Sequence, residues 1–209
     1  MALNLYIFTF IYVSFGFYSA EGANGENIAL NKSTSQSSTA ADWVADRAVD
    51  GCTNQSAESQ CCSKTLPQTE NTLEISLGSI HRVGSIIVYG PENEDELTGF
   101  KVYFGDFLKQ LLYSNVGKPY GNGVFEILPQ PPLDFSTLTI RRDNSTDNVS
   151  LTICEVEVFE ACPSGFYGDL CEQSCGHCLD DDVCYGNTGR CPRGCAAGWH
   201  EDTCEIGIS

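Results

Sequence analysis

His81, His177 and His200 are the 3 imidazoles of this 209-residue chain, and none stands in a serine or cysteine nucleophile context. Nucleophilic hydrolysis needs a nucleophile, a base and a group that orients the base. No motif of that kind is readable, which argues against an enzyme. Cys175-x-x-Cys178, with His177 between, has the spacing of a zinc knuckle or a redox dithiol. Zinc requires a second matched pair, and Cys184, Cys191, Cys195 and Cys204 do not supply one, so disulfides are the better reading. Asp180-Asp181-Asp182 lacks the spaced oxygen ligands of a calcium loop and reads as surface charge. Gly121-Asn122-Gly123 has no strand-to-helix frame to cradle phosphate and reads as a hairpin loop. Arg141-Arg142-Asp143-Asn144 reads as a solvated strand end, and His81 as the opening of a strand.

The chemistry left is that of an oxidising, extracellular route. Residues 1–20 are uncharged and mostly apolar, ending in Ser19-Ala20, and predict a signal peptide. N-glycosylation sequons begin at Asn31, Asn54, Asn144 and Asn148. With 12 cysteines, disulfides become the expected state of the thiols. No second long apolar segment follows, so no membrane span is expected in this chain, and the product is expected to be secreted. The net charge of −17, with 28 acids against 11 bases, excludes a nucleic-acid partner and disfavours anionic membranes. Cations, neutral sugars and basic protein patches remain.

Short runs of alternating apolar and polar residues position these groups: Thr72 to Leu77, Val83 to Tyr89, Phe100 to Phe104, Val124 to Leu128, Leu138 to Arg141 and Leu151 to Phe159. Period-two alternation with β-branched and aromatic residues predicts half-buried strands. Turn-rich pieces such as Gly90-Pro91-Glu92-Asn93 separate them, which predicts a sandwich or barrel. In the last run Cys154, Val156 and Val158 are expected to face the core, and Ile153, Glu155, Glu157 and Phe159 to face outward. Helix is confined to a turn or two around Ala40 to Val49. Eight of the cysteines crowd into 162–204, placing a boundary near Glu160-Ala161. There Cys162-Pro163-Ser164-Gly165-Phe166, closing at Cys171, repeats as Cys195-Ala196-Ala197-Gly198-Trp199, closing at Cys204. A unit this short needs crosslinks in place of a large core.

Three segments carry a family resemblance: Asn27-Ile28-Ala29-Leu30-Asn31-Lys32, Ala48-Val49-Asp50-Gly51, and Leu151 to Val158. In this order they resemble the fucolectin (F-type lectin) family. The resemblance implies an all-β jelly-roll sandwich of the galactose-binding-like type over residues 24–160. It also implies a structural calcium ion, held by Asp50, Glu155 and the backbone carbonyls of Arg47, Cys52, Cys61 and Cys154. The alternative is that Asp50 only closes a turn with Gly51 and that Glu155 is a solvated strand carboxylate.

The family grips fucose with a histidine and two arginines. At the matching positions this chain has Lys64, Pro91 and Glu96, so ordinary fucose binding is expected to be weak or lost. Residues 161–209 look like the EGF-like repeats of multiple-EGF scavenger-type receptors. That pattern implies Cys175–Cys184, Cys178–Cys191 and Cys195–Cys204, leaving Cys162–Cys171. In the sandwich Cys52–Cys61 with Cys62–Cys154 is preferred among three possible pairings. The expected function is secreted or cell-surface recognition of a glycan or an extracellular protein. The alternatives are a lectin of altered specificity and the N-terminal ectodomain of a longer multi-EGF receptor.

Overall fold

The computed structural model describes residues 26–56, 59–92, 97–105, 109–114, 123–129, 131–143, 148–168, 171–186 and 188–208. The expected leader at 1–20, Glu96, Asn144 and Gly121-Asn122 lie outside them. Among the described residues nine strands build the larger unit: β1 Ser33–Gln36, β2 Ser63–Lys64, β3 Glu70–Tyr89, β4 Phe100–Phe104, β5 Gln110–Ser114, β6 Val124–Ile127, β7 Leu133–Asp143, β8 Thr152–Ile153 and β9 Glu155–Glu160. The fold is an all-β sandwich.

Strand β3 organises it. The sequence reading placed two strands here, Thr72 to Leu77 and Val83 to Tyr89, but they run on as one 20-residue strand. The polar interval Gly78-Ser79-Ile80-His81 takes up a bulge, with the register against β7 shifting between Ser76 and His81. Gly78 sits at φ +88°, which its missing Cβ permits. The half before the bulge pairs with β1 and β7, and the half after it keeps β7 as far as Val83 and then pairs with β6 and β9. One strand thus serves two sets of neighbours. His81 lies inside β3 rather than at its start.

The alternating residues of these strands point into one core, in which Leu73, Ile75, Leu77, Val83, Ile86, Val88, Val102, Leu138, Ile140, Val156 and Val158 are buried. Phe100 anchors its aromatic part, 4.9 Å from Phe125 in an edge-on arrangement. Asn71 is one of the polar residues buried with them. Fully buried, it accepts from Thr65 Oγ1 at 2.6 Å and donates to the carbonyls of Gln68 and Val149 at 3.0 and 2.8 Å.

The expected facing of the last run holds for Cys154, Val156 and Val158 but not for Ile153 or Glu155, both of which are fully buried. A bend at Cys154 separates β8, which pairs with β2, from β9, which pairs with β3. Strict alternation cannot be carried across that break. The chain entering the sandwich lies against the chain leaving it: Ile28 N donates to Val158 O at 2.9 Å, and Asn27 Oδ1 accepts from Val158 N at 3.0 Å.

The cysteine-rich segment has a core of its own, made of Tyr167, Cys178, Cys184, Cys191 and Cys204 with Trp199 packed against them. Two short hairpins, β10 Phe166–Tyr167 with β11 Gln173–Ser174 and β12 Trp199–His200 with β13 Ile206–Gly207, complete it. The six disulfides are Cys52–Cys61, Cys62–Cys154, Cys162–Cys171, Cys175–Cys184, Cys178–Cys191 and Cys195–Cys204. No cysteine is free, and none of these bridges crosses from one core to the other. Among the described residues no helix is long and apolar enough to cross a membrane.

Candidate functional site

The 3-10 turn Ala45–Val49 delivers Asp50 and Gly51 to the start of β9, where Glu155 is waiting. Ala45, Ala48 and Val49 are buried under the turn and fix it to the sandwich. Glu155 Oε2 accepts from Gly51 N at 3.0 Å, and Oε1 lies 3.5 Å from Asn27 Nδ2. Neither partner is a cation. Burial is the largest cause of a raised pKa, and the nearby charges of Asp50 and Glu157 add to it, so the Glu155 carboxyl is pushed up to about 7. A solvated strand carboxylate is therefore not what Glu155 is.

Three distant stretches meet at this point, tied by two bridges. Cys52 pairs with Cys61, and Cys62 with Cys154, the residue before Glu155. Asp50 Oδ1 accepts from Cys52 N at 2.9 Å, closing the Asp-Gly turn. Among the described residues no group of three or more His, Cys, Asp or Glu side chains gathers at one point. A cation here would lean on backbone oxygens together with two carboxylates. A buried carboxylate whose bonded partners are not cations, with Asp50 close by, fits a hard cation such as calcium.

The three positions that replace the sugar-gripping residues are not gathered by anything described. Lys64 is on β2, its ammonium 5.8 Å from the centroid of the Trp43 ring, and its backbone N–H donates to Trp43 O at 3.1 Å. Pro91 is buried. Glu96 falls outside the described residues. Trp43 was not singled out from the sequence, where it sits in a polar stretch with no aromatic partner.

The sequence also gave no sign of the array on β3. Ser79 Oγ lies 2.9 Å from His81 Nε2, and His81 Nδ1 lies 2.7 Å from Glu160 Oε1. With Glu160 ionised, Nδ1 carries the proton and Nε2 accepts from the serine, the order of an acyl-transfer triad. Ser79 is exposed and Ile80 beside it is 74% exposed. Water is not excluded, so the array lacks the enclosed, preorganised surroundings that acyl transfer needs. Arg142 Nε donates to Thr98 O and its Nη1 to Ser150 O, tying two loops together rather than ending a strand in solvent. Arg193 binds Asp180 and Asp182.

No protein-family model matches the chain, and its sequence matches no curated protein. Solved structures do match. A fucolectin from the serum of striped bass, Morone saxatilis, is similar with a TM-score of 0.59 at 22% identity, over 65% of this chain and 48% of that one. The chain thus spans about half the length of the bass protein. The lectin domain of lectinolysin, solved with Lewis B antigen, is similar with a TM-score of 0.58 at 28% identity, over 66% of this chain and 98% of that domain. A Streptococcus pneumoniae fucose binding module, SpX-3, gives 0.56 at 24% identity, over 64% and 97%. The chain therefore contains a sandwich of the F-type lectin and fucose-binding-module kind over about 65% of its length, followed by a small disulfide-rich segment.

Proposed function

We propose that this chain is a non-catalytic extracellular recognition protein whose sandwich binds a glycan through a loop set other than the fucose-gripping one. The observation that carries the reading is the fold: the similar structures are lectin and sugar-binding modules. Six disulfides with no free cysteine support an extracellular setting. Lys64 beside Trp43, with Pro91 buried, supports a specificity other than fucose. In this reading the tail is an EGF-like spacer.

Calcium belongs to the same proposal. Asp50 and Glu155, with the carbonyls of Arg47, Cys52, Cys61 and Cys154, would hold it, and its charge would offset that of the buried Glu155. Bound there, it would fasten the Asp-Gly turn to β9 and so keep the loop end rigid for ligand. The ion would be structural, since no reacting group is placed beside it.

The test is a glycan array probed with the secreted chain, with and without chelator. Signal on non-fucosylated glycans that free sugar competes away, and that chelation weakens, is expected. Silence across the array, or binding confined to fucosylated probes and insensitive to calcium, would overturn the reading.

A further inference from the structure

An open groove of about 520 Å³ lies between β1 and the 3-10 turn, within the size range of small-ligand sites. Its lining is mixed, with several polar and charged side chains beside Val49. Lys32 and Arg47 line it together with Asp46 and Asp50, so the formal charges balance, and Ser33 and Thr34 add hydroxyls, that of Thr34 donating to Asp46 Oδ1 at 2.6 Å. Balanced donors and acceptors suit a neutral, hydroxyl-rich ligand better than an anion or an apolar one. Arg47 is incompletely used. Its Nη2 is bound at 3.2 Å to Asp42, a carboxylate that is 71% exposed, and its Nη1 is shielded from solvent with no hydrogen-bond partner. A buried guanidinium nitrogen without an acceptor is costly, and a ligand oxygen in the groove would give it one after a small turn of the side chain.

Asn31 also lines this groove. It is exposed, and it opens the sequon Asn31-Lys32-Ser33. Its backbone is pinned in the left-handed region at φ +56°, with its N–H donating to Val49 O at 2.6 Å. A sugar attached to Asn31 would therefore leave the chain from a fixed point on the groove's own rim. Tethering raises the effective concentration so far that contacts too weak to capture free sugar suffice.

We propose that the groove seats the first N-acetylglucosamine of an N-glycan carried by Asn31, with Arg47 donating to its oxygens, and with Thr34 Oγ1 and Asp46, themselves joined by a 2.6 Å bond from the hydroxyl to Oδ1, accepting from its hydroxyls. The chain would then use one of its own glycans as a covalent packing element, clamping β1 to the turn that presents Asp50. The inference rests on the extracellular reading only in needing the secretory route. It is independent of what ligand the loops bind.

The test uses the full chain secreted from a eukaryotic host and trimmed enzymatically to a single N-acetylglucosamine at each occupied sequon. Mass spectrometry is expected to find Asn31 modified, and the trimmed chain should melt a few degrees above Asn31→Gln. Glycans can also stabilise by restricting the unfolded chain, so the deciding comparison is made in groove variants. Thr34→Val and Arg47→Lys, which leave the sequon intact, should remove at least about half of that increment, as loss of a hydrogen bond between the sugar and a charged donor or a hydroxyl acceptor would. An unmodified Asn31, or an increment that survives both substitutions, overturns the proposal. So does saturable binding of free N-acetylglucosamine at Arg47, seen by NMR in the trimmed glycosylated chain, because a seated glycan would block it. None of these failures would alter the glycan-array result.

Discussion

Replacing Glu155 by glutamine keeps the shape of the side chain and removes its charge, which isolates the cost of burying that charge. In the folded chain the carboxyl is fully buried and is pushed up to about 7, from an ordinary value of 4.5. The folded state therefore holds this proton more tightly than the unfolded state, and it binds more protons between those two values. Stability then falls as pH rises through that window and levels off above it. The difference corresponds to at most about 3 kcal/mol in the metal-free chain. Glutamine Oε1 can still accept from Gly51 N–H, so the variant should match the parent near pH 4 and exceed it near pH 8. Guanidinium unfolding of the oxidised, chelated protein, followed by fluorescence of Trp43, measures this directly; Trp199→Phe removes the signal of the tail. Millimolar calcium should flatten the parent's decline and leave the variant unmoved, since an ion bound only by the folded state stabilises it by mass action. An identical pH slope in parent and Glu155→Gln would refute the reasoning.

Three further outcomes are expected. Replacing Cys62 and Cys154 together by alanine opens a loop of 92 residues and should cost about 4.6 kcal/mol on the chain-entropy argument, read as a shift in the guanidinium midpoint. Asn71→Ala leaves the buried Thr65 hydroxyl without its acceptor and takes one of two donors from the carbonyls of Gln68 and Val149, which keep each other's N–H, and about 2 kcal/mol of destabilisation is expected in the same assay. Gly176→Ala would drive a methyl into the backbone of Thr203 and Cys204. The tail should then fail to pair its cysteines uniquely, visible as mixed disulfides by mass spectrometry, while the sandwich transition stays in place.

The strands were legible where alternation was clean. Val124 to Leu128 and Phe100 to Phe104 match β6 and β4 within a residue, because one face of each meets the core and the other meets water. Strand β1, with the sequence Ser33-Thr34-Ser35-Gln36, has no apolar residue to announce it; pairing with β3 alone makes it a strand. The bulge in β3 hid the continuity of that strand, because Gly78-Ser79-Ile80-His81 has the composition of a turn. Burial of Glu155 was illegible for the opposite reason. A charged residue in an alternating run reads as outward, and only the bend at Cys154 turns it in. Ser79, His81 and Glu160 could not be assembled from sequence either, since β9 brings the glutamate to the histidine from 79 positions away.

The hydrogen bond between Ile28 and Val158 has an architectural consequence. With both ends of the sandwich side by side, the unit could be spliced into the surface loop of a host domain, or circularly permuted by a short linker, without pulling its layers apart. Such a fold can be strung in tandem or inserted like a cassette, and each copy would keep the same local geometry at its joints.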